Sequence, residues 1–184
     1  MKTRNIFISI ALFAGLSLTG AAQAAGKIYI GGKAGIMKPD ISGFDEAINI
    51  GVYGGYNLLG KDSQFAADLR GGSLAVEGEV TTTLKKGDAG VADEWDMNSI
   101  AAYAAYRHPV TDYFYLKGKL GLVRYEIDTS LPAPASVASA LGTETKLAAG
   151  VGAGWKVGPG SIEVDLTTYE SDVLFLSGGF HMSF

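Results

Sequence analysis

The sequence predicts an all-β fold: an eight-stranded antiparallel up-and-down transmembrane β-barrel behind an N-terminal signal peptide that is cleaved. Three observations predict it. Hydrophobic residues make up 47% of the chain, yet no segment after the N-terminal stretch reaches the roughly 18 unbroken apolar residues of a membrane helix. A chain that crosses a membrane without helices must close a barrel, because every backbone N–H and C=O needs an internal partner there. Period-2 alternation of apolar and polar residues recurs eight times between clusters of Gly, Pro, Asp and Ser, as expected of strands with one wet face. Finally, the charges on the wet faces balance in sign, which suits a closed interior.

The N-terminal segment is an address. Lys2 and Arg4 form a positive region, Ile6 to Leu18 an apolar one, and Ala22-Gln23-Ala24 a small-x-small cleavage site, the layout of a secretory signal. Cleavage is expected after Ala24. That divides the chain into a signal peptide, 1–24, and one barrel domain, 25–184, a length that suits one domain better than two. No cysteine follows the cleavage site, so a lipoprotein is not expected. Losing Lys2 and Arg4 takes the formal charge from −4 to about −6, which argues against a nucleic-acid binder, since that function needs a basic face. The absence of cysteine excludes disulfides and thiolate metal sites.

The strands follow in order. The first spans about Lys27–Met37, with Ile28, Ile30, Ala34 and Ile36 opposed to Tyr29 and Lys33. The second, about Ile48–Leu58, sets Ile48, Ile50, Val52 and Tyr56 against Asn49, Tyr53 and Asn57. The third, about Ser73–Leu84, sets Leu74, Val76 and Val80 against Glu77 and Glu79; the fourth, about Trp95–Arg107, sets Ile100, Ala102, Ala104 and Tyr106 against Ser99, Tyr103 and Arg107. The fifth, about Tyr113–Ile127, opposes Phe114, Leu116, Leu120 and Leu122 to Tyr115, Lys117 and Lys119. The sixth, about Lys146–Val157, opposes Leu147, Ala149, Val151, Ala153 and Trp155 to Lys146 and Lys156. The seventh, about Ser161–Tyr169, alternates Ile162, Val164 and Leu166 with Glu163, Asp165 and Thr167; the eighth, about Val173–Phe184, presents Leu174, Leu176, Gly178, Phe180, Met182 and Phe184 on one face.

The connections alternate too. His108–Asp112 and Gly158–Gly160 read as tight turns, whereas Lys38–Ala47, Lys85–Glu94 and Asp128–Thr145 are long and polar or proline-bearing. Membrane barrels of bacteria have short periplasmic turns and longer outer loops, which orients the chain. Leu59–Gly72 departs from the rule and reads as an enlarged periplasmic turn in which Phe65–Arg70 has room for one helical turn. Pro132–Ala140 is a low-complexity outer loop.

The wet face points inward in this reading, because lipid meets the apolar one. It gathers Lys33, Lys117, Lys119 and Lys146 with Glu77, Glu79, Glu163 and Asp165, four cations and four anions. An eight-stranded bore has room only for side chains, and ions buried there must pair or cost several kcal/mol each. Balanced signs predict an interlocked ionic plug rather than an ion-selective pore, which favours rings of one sign. Tyr56, Tyr106, Phe114, Trp155, Phe180 and Phe184 fall on the outer face near strand ends, at headgroup level. Gly31, Gly35, Gly51, Gly55, Gly150, Gly152 and Gly154 fall on the crowded inner side.

These features together resemble the OmpA-like outer-membrane β-barrel domain family of small surface proteins, with its opacity-type and Ail-type barrels. The resemblance is carried by Lys27-Ile28-Tyr29-Ile30-Gly31-Gly32-Lys33-Ala34-Gly35, by Leu74-Ala75-Val76-Glu77-Gly78-Glu79-Val80, by Tyr115-Leu116-Lys117-Gly118-Lys119-Leu120-Gly121, by Gly150-Val151-Gly152-Ala153-Gly154-Trp155 and by the terminal Phe184. It covers essentially all of the chain after residue 24. It implies residence in the outer membrane of a Gram-negative bacterium among lipid and lipopolysaccharide. It also implies that Phe180, Met182 and Phe184 form the assembly signal read by the barrel-assembly machinery. Phe184 is equally a lipid-facing end residue.

No cofactor and no metal site is expected. His108 and His181 lie toward the periplasmic end, away from outer-leaflet chemistry, so the chain reads as non-enzymatic. Asp88, Asp93, Glu94 and Asp96 match no metal-loop spacing and read as a solvated acidic loop. Lys85-Lys86 can reach lipid phosphates, although paired loop lysines commonly serve solubility alone. Gly150–Gly154 lacks the spacing and helix of a nucleotide loop. The expected role is envelope structure and surface interaction through the outer loops. Three alternatives stay open: an adhesin or virulence surface protein, a narrow channel for small solutes, and a soluble periplasmic barrel with an apolar ligand.

Overall fold

The computed structural model describes residues 28–59, 71–90, 93–129, 142–170 and 172–184. The expected cleavage site, the Phe65–Arg70 turn and the Pro132–Ala140 loop lie outside them. The strands are β1 (Ile28–Pro39), β2 (Ala47–Leu59), β3 (Ser73–Lys85), β4 (Gly87–Asp88), β5 (Glu94–Pro109), β6 (Phe114–Thr129), β7 (Gly142–Val157), β8 (Gly160–Tyr169) and β9 (Val173–Ser183). Every pairing is antiparallel. β1 pairs with β9 and β3 with β5, so the eight long strands close on themselves and leave no edge. The two-residue β4 only extends the ladder at the start of β5.

The outward and inward faces follow the alternation. Leu120 is 61% exposed and Val151 65%, whereas Lys117 is 4% and Glu163 2% exposed. An apolar surface this extensive suits lipid, and it removes the soluble, ligand-filled barrel as a reading. The turn end of the outer surface carries the aromatic rings: Tyr56, Trp155, Phe180 and Phe184 are exposed, and Phe114 lies against Trp155 with centroids 4.9 Å apart. At the loop end the outward side chains on β1, β2, β7 and β9 are aliphatic, namely Ile36, Ile48, Leu147, Leu174 and Leu176.

Two features depart from the sequence expectation. β5, β6 and β7 each run to 16 residues, and β7 begins at Gly142 rather than Lys146. The ladder continues past the apolar band, pairing Ile127 with Gly142 and Asp96 with Asp128, and its outward face there is polar. Hydrogen bonding, not hydropathy, sets where those strands stop. The second departure is inside. The loop-end half of the bore is filled by an apolar cluster of Met37, Trp95, Met97, Val123, Ile127, Val173 and Phe175 with Tyr125 and Tyr169. Among the described residues the fully buried ionic side chains lie in the other half. Close strand approach is met by glycine at Gly121, where a Cβ would come within 2.8 Å of Tyr103 Cα.

Candidate functional site: the ion network of the bore

Five strands supply the network, and i, i+2 spacing stacks its members on the inner face. Lys33 comes from β1, Glu77 and Glu79 from β3, Arg107 from β5, Lys117 and Lys119 from β6, and Glu163 and Asp165 from β8. Lys117 is the hub: its Nζ lies 2.9 Å from Glu77, 2.8 Å from Glu163 and 3.3 Å from Asp165. Arg107 bridges the same two glutamates, at 2.7 Å from Glu77 and 2.9 Å from Glu163. Lys33 and Lys119 share Oε2 of Glu79 at 2.8 and 3.4 Å.

Tyrosines complete the arrangement. Tyr115 donates to Glu163 at 2.7 Å and Tyr53 at 3.4 Å, and Tyr29 accepts from Arg107 at 3.1 Å. Tyr53 also hydrogen-bonds His181 Nδ1 at 3.1 Å. The Arg107 guanidinium lies 4.5 Å from the Tyr29 ring centre, and Lys119 Nζ 4.4 Å from that of Tyr103. Such contacts favour a cation taken out of water. Among the described residues, Glu79 Oε1, Asp165 Oδ1 and the Thr167 hydroxyl are buried without a hydrogen-bond partner.

Seven of the eight ionic residues expected inside meet in this network. Lys146 does not. It sits at the loop-end mouth with its side chain 28% exposed, 3.3 Å from Glu144, 3.1 Å from Glu170 and 3.3 Å from Asp172. β8 ends at Tyr169, opposite Ala148, so Lys146 stands two residues beyond the end of the β7–β8 ladder, where the bore opens. Arg107 takes its place among the buried cations, so the signs still balance. Its inward parity was legible in the alternation of β5, but its position next to a turn made it read as a terminal residue.

Phe180, Met182 and Phe184 are all exposed on the outer surface at the end of the last strand. His108 lies within β5, half-buried, with Nδ1 3.3 Å from the Tyr106 hydroxyl. Among the described residues no group of three or more His, Asp or Glu side chains is arranged to hold a metal ion. In the second outer loop Lys86 pairs with Asp96 at 2.8 Å, and that hydrogen bond raises the lysine's pKa.

The sequence matches the model of the outer membrane protein beta-barrel domain over residues 8–172. Among solved structures it is similar to Ail, the attachment invasion locus protein of Yersinia pestis, at 17% identity and TM-score 0.52, covering 86% of this chain and 97% of that one. It is similar to Neisserial surface protein A at 16% identity and TM-score 0.57, with 85% and 97% covered. A de novo designed transmembrane β-barrel gives 12% identity and TM-score 0.54, with 87% and 97% covered. Identities this low speak for the fold alone. No curated protein matches the sequence.

Proposed function

The chain belongs to the outer membrane protein β-barrel domain family and resides in the outer membrane, and from that premise we propose that it is a non-enzymatic barrel with a sealed bore, serving envelope structure and surface contact through its outer loops. One observation carries the reading. The bore is filled twice, by the neutral ionic network in its turn-end half and by an apolar layer in its loop-end half where Met37, Trp95, Met97 and Phe175 are wholly buried. An ion crossing it would have to displace both. Chain entry through the inner membrane by the signal peptide 1–24, lipid and lipopolysaccharide around the belt, and insertion through Phe180, Met182 and Phe184 belong to the same proposal.

The test is conductance in planar bilayers. The purified barrel is expected to give no unitary steps. Steady steps from wild-type protein would favour the narrow-channel reading and end this one.

The adhesin reading rests on the outer loops. One structure of the Yersinia pestis protein is in complex with the heparin analogue sucrose octasulfate, a polyanion. At the loop end of this chain carboxylates outnumber cations among the described residues, with Asp88, Glu94, Asp96, Glu126 and Asp128 around the second loop and the β5–β6 ribbon. Like charge disfavours a sulfated ligand there. A surface partner of this chain is therefore expected to be cationic or neutral, and deletion of Asp128–Thr145 is expected to abolish its binding while the barrel still folds.

A further inference from the structure

Three strands outrun their neighbours at the loop end. β5 stays paired with β6 up to Trp95 and Thr129, and β6 with β7 up to Ile127 and Gly142. The ribbon they form has two edges, and the edges differ. On the β5 side the backbone is covered. A bulge at Leu84, where Ile48 pairs with Lys85 but Asn49 with Thr83, turns Lys85 outward. β4 then pairs with β5, Gly87 with Trp95 and Asp88 with Glu94. Between them the Thr83 hydroxyl accepts from Met97 N–H at 2.9 Å and lies 3.1 Å from its C=O.

The β7 side is open. Its ladder with β8 ends at Ala148 and Tyr169, and Leu147 C=O takes a last hydrogen bond from Glu170 N–H at 2.8 Å. The strand period turns the N–H and C=O of Thr145 and Thr143 to the same side as those of Leu147. No strand among the described residues pairs with them there. Beside this edge the mouth of the bore forms a pocket of about 230 Å3, with Ile41 and Ile127 among its walls and the carboxylates of Asp40, Glu144 and Asp172 around it. One ammonium, that of Lys146, serves Glu144, Glu170 and Asp172 through a single oxygen of each. Asp40 has no ion-pair partner among the described residues, and the loop sequence 130–141 holds no charged residue. Four carboxylates against one ammonium leave three negative charges unmatched.

An open strand edge next to an acidic pocket with aliphatic walls fits one kind of partner. We infer that the edge takes up an extended segment of a partner polypeptide as an added strand on β7, with lysine or arginine at the position facing the pocket. Main-chain hydrogen bonds to Thr143 and Thr145 supply the pairing, and the pocket selects the side chain. The aliphatic stem of that residue lies along Ile41 and Ile127 while its charge meets Asp40, Glu144 and Asp172. The inference rests on the surface-contact reading and gives that contact a place and a chemistry.

Fluorescence anisotropy of labelled hexapeptides tests this with the purified barrel in phosphatidylcholine nanodiscs, whose neutral lipid does not attract a basic peptide. The probes are an alternating Thr-Arg peptide, its Thr-Glu counterpart, and the Thr-Arg peptide N-methylated throughout, which keeps every charge but has no N–H to donate. The Thr-Arg peptide is expected to bind about 10-fold more tightly than either of the others. Thr145→Pro is expected to weaken it about 10-fold, and because the N–H it removes faces away from β6, the barrel's own ladder keeps its bonds. Asp40→Asn with Glu144→Gln is expected to weaken it about 3- to 10-fold. Heat-shifted gel mobility confirms that each variant is folded. Equal binding of the N-methylated peptide, or binding that survives Thr145→Pro, overturns the added strand and leaves surface contact standing. No binding of the Thr-Arg peptide, or no preference for it over Thr-Glu, overturns the assignment. Conductance by the wild type would end the sealed-bore reading without altering these results.

Discussion

Glu163→Gln removes one negative charge from the middle of the network and keeps its shape. The carboxylate accepts from Lys117 at 2.8 Å, Arg107 at 2.9 Å and Tyr115 at 2.7 Å, and it is 2% exposed. The substitution leaves four buried cations facing three anions. Removing one partner of a buried ion pair costs about 3–5 kcal/mol. Here Glu77 and Asp165 still hold Lys117, and Glu77 still holds Arg107, so the low end, about 3 kcal/mol, is expected. With a slope near 2 kcal/mol per molar urea, the unfolding midpoint in lipid vesicles falls by about 1.5 M. Tryptophan emission follows the transition from both sides of the wall, since Trp155 faces out and Trp95 is wholly buried. The companion variant is Lys117→Met, which alone unbalances the bore the other way. Combining the two restores three cations against three anions, so the double variant is expected to lose at least about 1 kcal/mol less than the sum of the singles. A Glu163→Gln barrel within about 0.5 kcal/mol of wild type, or strict additivity with Lys117→Met, would refute the claim that these charges hold one another.

The proposed seal has two layers, either of which would suffice, so Trp95→Ala alone is expected to stay non-conducting in planar bilayers although its cavity costs about 3–5 kcal/mol; Trp95→Ala together with Glu163→Ala and Lys117→Ala is expected to conduct, and silence of a folded triple variant would show that the layers are not the barrier. Leu120→Lys places a charge in the lipid-facing belt and is expected to lower stability by about 2–4 kcal/mol, whereas Val110→Lys, in the turn after β5, is expected to leave the urea midpoint unchanged. Gly121→Val drives a side chain into the Ala102–Tyr103 backbone and is expected to abolish the heat-shifted folded band. The Thr167 hydroxyl has no hydrogen-bond partner among the described residues, so Thr167→Val is expected to be neutral or mildly stabilising, because an unmade buried hydrogen bond is a cost removed with the group; a loss above about 1 kcal/mol would mean that the hydroxyl is satisfied.

How much of the network could be read beforehand follows from parity. Glu77 and Glu79, Lys117 and Lys119, and Glu163 and Asp165 each stand two apart inside runs whose intervening residues are aliphatic or glycine. A pleated strand sends such pairs to one side, so these six were legible without coordinates, and Lys33, opposed to the isoleucines of the first strand, makes a seventh. Arg107 was legible in direction but not in role. Lys146 has the right parity and the wrong height, because parity assigns a face and says nothing of depth along the barrel axis. The apolar half of the bore was missed for a related reason. Met37, Trp95, Val123 and Phe175 are inward by parity, but an apolar residue on a nominally wet face looks like noise until its neighbours from other strands are known.

Local alternation, turn chemistry and the lack of an unbroken apolar helix determined the strands, the closed barrel and which side of each strand meets lipid, because these depend on residues near one another in the chain. Only the tertiary structure decided which charges meet, since the stagger of one strand against the next brings Arg107 to Glu163 and carries Lys146 out to the mouth. It alone revealed the bulge that turns Lys85 outward beside Leu84. Depth, stagger and bulges arise from hydrogen bonding between strands distant in sequence, and a one-residue change in register rewrites them without altering the alternation within either strand.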